Sequence, residues 1–247
     1  MKTVSQARDN RMLGALIKHT HYFDVYDSFL SSLQEEIPNI LEIGVYNGGS
    51  LYMWKEYFPN SKIVGIDIDE YCKQFEDPSS NIFVELGDQC DSIFLHNINE
   101  KYGPFDLIID DGGHESYQTI FSLKTLFPML KNGGTYVIED TFHSYWPEYN
   151  CDREKSTYGK ETGLIKLKSD ITSMDFLKSL CDKVNVWAYK GEDATEAKHL
   201  RKFEELDDFE NSLFSIHFYD GMCMLQKCYR VNGKSYGEPK WYGHEGR

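Results

Sequence analysis

Two short apolar runs of the sequence each end in a pair of acidic residues. The first reads IIDDGGH over residues 108–114 and adds a histidine, His114, while the second reads TYVIED over residues 135–140. If the two runs form adjacent parallel strands, whose axes lie about 4.8 Å apart, their carboxyl ends bring the acids into one crevice. Carboxylates gathered in this way repel one another unless a cation neutralises them. The sequence therefore predicts a metal-binding crevice that contains Asp110, Asp111, Glu139 and Asp140.

The donor atoms in this crevice indicate which ion it would bind. Carboxylate oxygens without cysteine suit a hard or borderline divalent ion, with Mg²⁺ expected first and Mn²⁺ or Fe²⁺ as alternatives. Side chains alternate along a strand, so both members of each acidic pair cannot face one ion unless the backbone turns there. The spacing alone leaves open which of the four carboxylates bind it.

The composition restricts the kinds of partner. The chain has 247 residues, 40% of them hydrophobic and 27% charged, which is typical of one soluble globular domain. A net charge of −14 disfavours nucleic acid, whose binding needs a basic face, and favours a small-molecule partner. No apolar run approaches the roughly twenty residues of a membrane span, and the N-terminus lacks the apolar core of a signal peptide. We therefore expect a cytoplasmic protein that binds no membrane and whose six cysteines are reduced.

The rhythm of the chain predicts an α/β fold. Short β-branched runs alternate with longer amphipathic ones, which is typical of a parallel sheet with crossover helices. Helices are expected over 116–130 and 169–181, and the pair Asp220-Gly221 between two alternating runs predicts a closing hairpin. We therefore predict a Rossmann-like, doubly wound sheet, mostly parallel, with a C-terminal antiparallel hairpin strand. The five strands predicted ahead of the hairpin lie at 39–45, 62–68, 81–86, 105–110 and 135–140.

The remaining segments complete a single expected domain over residues 1–247. An N-terminal helical cap is expected at 1–38, a cofactor- and metal-binding core at 39–140 and a charged surface insertion at 190–211. The loop over 153–168 is basic, and it fits either a solvated loop or a contact with the phosphates of a nucleotide-linked sugar.

A glycine-rich turn follows the first predicted strand. The stretch LEIGVYNGGS over 41–50 lets the backbone approach a ligand, and the helix that starts near Ser50 offers free N–H groups. A dinucleotide fingerprint would read G-x-G-x-x-G, so the G-x-x-x-G-G spacing weakens the case for NAD. The next two strand ends carry Asp67, suited to ribose hydroxyls, and Asp88-Gln89, suited to the amino edge of adenine. Each of these alone would also fit a turn or a helix cap.

The order of these motifs resembles that of the class I S-adenosylmethionine-dependent methyltransferases, from the first strand to the closing hairpin. The resemblance implies S-adenosylmethionine as the cofactor. It also puts Asp110 on the cofactor side of the crevice and His21 in the N-terminal region that covers the cofactor. The remaining cofactor contacts that it implies are Glu42, Gly44, Gly48, Ser50, Asp67, Asp88 and Gln89.

A longer string, DDGGHESYQTIFSLKTLFPMLKNGGTYVIEDTFHSYWPEY over 110–149, resembles a narrower group. These are the metal-dependent sugar O-methyltransferases of macrolide deoxysugar pathways and their relatives in bacterial capsule pathways. A sugar hydroxyl attacks a sulfonium methyl only as its proton leaves, so a cation on the oxygen and a nearby base both lower the barrier. The resemblance makes His114 the general base and implies the metal ligands Asp111, Glu139 and Asp140.

Aromatic residues supply the candidate substrate contacts. Tyr145 and Trp146 follow the fifth predicted strand, and their rings either stack on the apolar face of a sugar or belong to the core. Tyr22, ahead of the first strand, is a further candidate contact in the segment that the family places over its site.

The leading hypothesis is an S-adenosylmethionine- and metal-dependent O-methyltransferase acting on a sugar hydroxyl. The sugar would be free or nucleotide-linked and would belong to surface polysaccharide (capsule) or natural-product biosynthesis. Alternatives are methylation of a catechol-like diol, an NAD-dependent sugar oxidoreductase and a non-catalytic binding protein. A homo-oligomer is compatible with the sequence.

Overall fold

The apolar, β-branched runs of the chain form the strands of one sheet. A computed structural model describes residues 3–8, 15–31, 33, 38–146, 149, 171–185 and 206–228. Five strands of this sheet are parallel, and the last two form an antiparallel hairpin. The strands are β1 Asn39–Ile43, β2 Lys62–Asp67, β3 Ile82–Leu86, β4 Leu107–Asp110, β5 Thr135–Ile138, β6 Leu213–Tyr219 and β7 Met222–Lys227.

Helices fill the intervals between the strands. Asp91 caps α4 by accepting from two backbone N–H groups of its first turn, and the Thr172 side chain caps α6 in the same manner. A 3₁₀ turn over Thr141–Tyr145 leads away from the end of β5. The α-helices are α1 Val4–Arg8, α2 Thr20–Leu30, α3 Gly49–Tyr57, α4 Ser92–Tyr102, α5 Ser116–Leu126, α6 Ser173–Val184 and α7 Asp208–Ser212.

The strand order creates a crevice at the centre of the sheet. The order is β3-β2-β1-β4-β5-β7-β6, so the chain runs outwards from β1 to β3 and then returns to the other side of β1. Asp110 lies opposite Ile43 of β1 and Ile138 of β5, which sets the ends of the three central strands at one level. Open α/β sheets bind ligands outside the carboxyl ends of the strands at such a reversal.

Both faces of the sheet are covered by helices. On β4, Ile108 packs among side chains of α4, α5 and α6, whereas Ile109 packs among those of α1, α2 and α3. Burial on both faces is the reason why these strands read as continuous apolar runs. The predicted doubly wound, mostly parallel fold with its antiparallel closing hairpin is confirmed.

Most element boundaries agree with the sequence predictions to within a few residues. The second expected helix begins at Ser173 rather than Ser169, because Thr172 is its cap. Residues 153–168, and residues 190–205 of the expected surface insertion, lie outside the described residues. In the part of the chain that is described, no helix has the length and apolar character that crossing a membrane requires.

The hairpin between β6 and β7 turns at Gly221, and this glycine contacts the N-terminal helix α2. Its φ is +70°, and its carbonyl oxygen accepts hydrogen bonds from the Tyr22 hydroxyl, at 2.8 Å, and from the Thr141 N–H. A β-carbon added here would lie 2.4 Å from the Tyr22 hydroxyl oxygen. The turn therefore joins the hairpin to α2 and to the segment that follows β5.

Gly221→Ala should destabilise the protein more than Gly133→Ala does. Gly133 has a φ of +86°, but a β-carbon there meets nothing within 4 Å. The alanine substitution at Gly133 should therefore cost only the strain of a left-handed backbone, about 1 kcal/mol. The clash with Tyr22 should raise the loss at Gly221 to about 3 kcal/mol. Urea unfolding of both variants measures the difference, and equal losses would contradict the close contact.

Candidate active site

A cavity of about 500 Å³ opens at the carboxyl ends of the parallel strands. This is the size of pockets that hold nucleotides and drug-sized ligands. Its lining comes from the segments that follow β1, β2, β3 and β4 and includes Gly44, Asp67, Asp88, Gln89 and Asp111. The structure thus brings together predicted residues from four different strand ends.

Gly44 forms the floor of the cavity because its lack of a side chain lets two loops touch. Its φ is +92°, and a β-carbon would lie 2.1 Å from the Asp111 carbonyl oxygen. The Asp111 N–H in turn donates to the Ile43 carbonyl, at 2.9 Å. The glycine turn after β1 and the acidic turn after β4 are therefore locked together through backbone.

Asp67 lines the cavity and also holds the glycine turn. Its Oδ2 accepts from the N–H groups of Val45 and Tyr46, at 2.9 and 3.1 Å, and its Oδ1 accepts from that of Asp69. Asp88 accepts from the Cys90 N–H at 2.7 Å. Each of the two carboxylates therefore stabilises a turn and also lines the cavity. From the sequence alone, a turn residue and a cofactor contact were alternative interpretations of these positions.

Gln89 lines the cavity and is hydrogen-bonded to Asp110, which is buried behind it. Gln89 Oε1 accepts from the Gly113 N–H at 2.9 Å, and Gln89 Nε2 donates to Asp110 Oδ1 at 3.3 Å. Asp110 also accepts from the hydroxyls of Ser122 and Tyr136. Burial raises the pKa of Asp110, and these hydrogen bonds oppose the rise. Asp110 thus anchors the IIDDGGH turn and does not line the cavity.

Four other predicted cofactor contacts do not line the cavity. Glu42 is fully buried beneath it, and burial raises its pKa to about 7. Gly48 precedes α3, with a φ of +70° and the Phe75 ring against it, and Ser50 is buried within α3. His21 Nε2 lies 2.8 Å from the Asp220 carbonyl oxygen, at the hairpin. These four residues support the turn or the N-terminal region from outside the cavity, and their contacts with a cofactor stay predictions.

The acidic crevice lies beside the cavity and shares Asp111 with it. Pairing of β4 with β5 brings the two acidic ends together, and the Glu139 N–H donates to the Asp110 carbonyl at 3.0 Å. The backbone turns at Asp140, where φ is +54°, so the strand alternation of side chains ends between Glu139 and Asp140. Asp140 Oδ1 accepts from the Tyr22 hydroxyl at 2.8 Å.

Lys18 contributes a buried positive charge to this crevice. Its Nζ lies 2.8 Å from Asp111 Oδ2, 2.8 Å from both carboxylate oxygens of Glu139 and 3.7 Å from Glu42 Oε1, and its side chain is 1% exposed. Burial alone would lower the pKa of Lys18, but the three carboxylates hold it well above its usual value. Lys18 could not be recognised as a site residue from the sequence, because it is 93 residues from Asp111 and belongs to no recognisable motif.

His114 lies between two carboxylates of the crevice. Its Nε2 is 3.8 Å from Asp111 Oδ1 and 3.8 Å from Asp140 Oδ2, and its backbone is left-handed, with a φ of +59°. His143 stacks on it with ring centroids 4.7 Å apart. Burial lowers the pKa of His143, and its Nδ1 has no hydrogen-bond partner among the described residues. Ligand atoms of His114, Asp140 and His143 all lie within 4.8 Å of one another.

These donors fit a divalent cation. The crevice already encloses one cation, the ammonium group of Lys18. Asp111 Oδ1 and Asp140 Oδ2 face the same imidazole nitrogen, and carboxylate oxygens are the donors that Mg²⁺ and Mn²⁺ prefer.

The predicted substrate aromatics divide into two kinds. Tyr145 is 63% exposed and Trp146 is 44% exposed, which excludes a place in the core for either ring. Trp146 meets His143 edge to face, with ring centroids 4.6 Å apart. Tyr22, in contrast, is fully buried and its hydroxyl bonds to Asp140 and Gly221, so it supports the site from behind and offers no ring face to a substrate.

Comparison with known proteins identifies the fold that carries this site. Residues 41–141 match a family model described as a methyltransferase domain. The chain is 30% identical over 229 residues to demethylmacrocin O-methyltransferase of Streptomyces fradiae, covering 90% of this chain and 51% of that protein. It is 37% identical over 167 residues to L-olivosyl-oleandolide 3-O-methyltransferase of Streptomyces antibioticus, covering 65% and 40%. The chain thus spans about half the length of the curated relatives it matches.

Solved structures agree with the sequence matches. The MycE methyltransferase from the mycinamycin biosynthetic pathway, in complex with Mg, SAH and mycinamycin VI, has 29% sequence identity and a TM-score of 0.66. The alignment covers 91% of this chain and 54% of that one. A second crystal form with Mg and SAH gives a TM-score of 0.68. The resemblance to the class I methyltransferases and to the sugar O-methyltransferases is therefore confirmed, with residues 41–141 matching the model of a methyltransferase domain.

Proposed function

We propose that this protein is an S-adenosylmethionine- and divalent-metal-dependent O-methyltransferase that methylates a sugar hydroxyl. The observation that carries the proposal is that the cavity and the acidic crevice share Asp111. A cofactor in the cavity would therefore lie next to an oxygen held in the crevice, as direct transfer of a methyl group requires. The named activities of the relatives, all O-methyltransferases, support the same conclusion.

The cavity residues suit the adenosine part of the cofactor. Asp67 and Asp88 lie on the wall and can accept from ribose and adenine donors, while Gly44 lets the turn after β1 and the acidic turn after β4 meet at the cavity. SAH in the MycE structures, whose fold matches over most of this chain, supports this assignment.

Asp111 and Asp140 would hold the metal, because each keeps an oxygen that faces His114. The sequence also predicts Glu139 as a ligand. When bound, a divalent ion would orient neighbouring hydroxyls of the sugar and lower the pKa of one of them. The Mg named for the MycE structures supports the presence of an ion in this family.

His114 would act as the general base. Its Nε2 accepts the proton of the sugar hydroxyl while the hydroxyl oxygen forms a bond to the methyl carbon and the carbon–sulfur bond breaks, which leaves S-adenosylhomocysteine. The stacked ring of His143 holds the His114 ring in place. Exposed Tyr145 and Trp146 follow His143 along the chain and would contact the sugar.

The relatives favour a sugar that is part of a natural-product glycoside. One is named mycinamicin VI 2''-O-methyltransferase, of Micromonospora griseorubida, and covers 90% of this chain at 31% identity. The names of these relatives describe methylation of natural-product glycosides. We therefore favour a glycoside as the substrate over the surface polysaccharides that the sequence also suggested. A nucleotide-linked sugar and a homo-oligomer stay predictions.

A substrate panel tests the proposed function. The protein should transfer one methyl group from S-adenosylmethionine to a deoxysugar glycoside in the presence of Mg²⁺, and a chelator should abolish the transfer. Mass spectrometry of glycosides, nucleotide sugars and catechols incubated in parallel measures the outcome. Turnover of catechols alone, or no binding of S-adenosylmethionine by calorimetry, would refute the proposal.

His114→Gln should lower kcat by about 10²- to 10⁴-fold, the usual contribution of a general base. The affinity for S-adenosylmethionine should not change, because His114 does not line the cavity. His96→Gln is the matched control, since His96 is exposed on α4 and its hydrogen bond within the described residues is to the Ser92 carbonyl of its own helix. Steady-state kinetics and calorimetry on both variants check the prediction, and wild-type kcat in His114→Gln would exclude the role of base.

A further inference from the structure

We propose that Gln118 is a cofactor-binding residue, whose carboxamide NH₂ group donates a hydrogen bond to a ring nitrogen of the adenine. This inference rests on the proposed function, because it names a contact of the cofactor that the function requires. Gln118 was not recognisable from the sequence as a site residue, since it lies in the first turn of α5 rather than at a strand end.

Gln118 is buried at the wall of the cavity. The residue is 7% exposed, and it lines the cavity together with Asp88, Gly112 and Gly113. Polar groups that are buried in this way normally each have a hydrogen-bond partner. The partners that Gln118 has within the protein therefore indicate which of its groups is left for a ligand.

The oxygen of the carboxamide is already bonded within the protein. Gln118 Oε1 accepts from the backbone N–H of Glu115 at 3.3 Å, as part of the capping box at the start of α5. Because an N–H group can only donate, its partner must be the oxygen, which fixes the orientation of the carboxamide. Gln118 Nε2 has no acceptor among the residues that the structure describes. The donor end of the carboxamide is therefore the end left for a ligand.

Gly113 holds this carboxamide at the cavity. A β-carbon at Gly113 would lie 2.2 Å from Gln118 Oε1 and 2.7 Å from Gln118 Nε2, so the backbone packs directly on the amide group. The Gly113 N–H donates to Gln89 Oε1, and Gln89 Nε2 donates to Asp110 and Ser122. Both ends of the Gln89 carboxamide thus bond within the protein. Gln118 offers the cavity a side-chain donor that Gln89 does not.

Adenine is the part of the cofactor that such a donor fits. Its ring nitrogens are hydrogen-bond acceptors, whereas its exocyclic amino group is a donor. Asp88 lines the cavity next to Gln89, which bonds to Gly113, so Asp88 and Gln118 belong to the same side of the cavity. The Asp88 carboxylate would accept from the amino group while Gln118 donates to a ring nitrogen. A base with a different pattern of donors would leave these buried groups unpaired.

Calorimetric titration of the whole chain with S-adenosylhomocysteine tests the donor. Gln118→Glu keeps an oxygen for the Glu115 N–H and removes only the NH₂ group, so the Kd should rise by at least about 10-fold. Gln226→Glu is the matched control, because Gln226 lies on β7, away from the cavity, and its Oε1 accepts from the Ser215 hydroxyl. The control should change the Kd by less than about twofold, and an equally small change in Gln118→Glu would overturn the proposal.

Analogues of the ligand separate loss of the donor from the negative charge that the glutamate adds. The 1-deaza, 3-deaza and 7-deaza forms of S-adenosylhomocysteine each replace one ring nitrogen by a C–H group. The wild type should bind one of the three about 10-fold more weakly than the parent ligand. Gln118→Met, which has neither donor nor charge, should bind that analogue and the parent ligand equally.

The comparison of two ligands on one variant does not depend on the stability of that variant. If the wild type binds all three analogues as tightly as S-adenosylhomocysteine, the proposal is overturned. It is also overturned if Gln118→Met discriminates between the ligands as the wild type does.

Failure of this inference and failure of the proposed function give different results. A wild-type protein that binds no S-adenosylhomocysteine refutes the proposed function, and the role of Gln118 with it. Tight binding by the wild type and undiminished binding by Gln118→Glu refute the role of Gln118 alone, because the cofactor then has its site without this donor.

Discussion

Burial of carboxylates at the ends of three neighbouring strands is the constraint on which the site depends. Glu42 on β1, Asp111 after β4 and Glu139 after β5 are brought together by the register of the central strands. Their repulsion in a medium of low polarity must be balanced, and the chain supplies the first balancing charge itself, from Lys18. The N-terminal segment is consequently part of the electrostatics of the site as well as a cover over it.

Backbone contacts and left-handed residues position the loops that carry the side chains of the site. Gly44 lets the turn after β1 touch the turn after β4, and Gln89 ties that second turn to the end of β3. At Asp140 the backbone is left-handed, which ends the alternation of the strand. The two consecutive acids have different partners, Lys18 and Tyr26 for Glu139 and Tyr22 for Asp140.

The parts of the fold and of the site that depend on segments close together in the sequence were predictable from it. The strands and the meeting of Asp111 with Glu139 follow from local apolar runs and from one crossover between β4 and β5. Lys18 and the supporting role of Tyr22 were not predictable, because their partners are 93 and 118 residues away and no spacing rule connects them. Asp67 and Asp110 were placed at the correct strand ends, but their bonds to backbone and hydroxyl groups depend on how the loops pack.

The hydrogen bond from Tyr22 to Gly221 joins residues 199 positions apart, and Lys18 meets Glu139 across 121 positions. Contacts of such separation form late in folding, because closing long loops costs entropy before the contacts can repay it. During synthesis the sheet core from β1 to β5 emerges from the ribosome well before the hairpin that holds Tyr22. The nascent chain can therefore assemble the wall of the cofactor cavity first, and it completes the support of Asp140 only once the last two strands have been made.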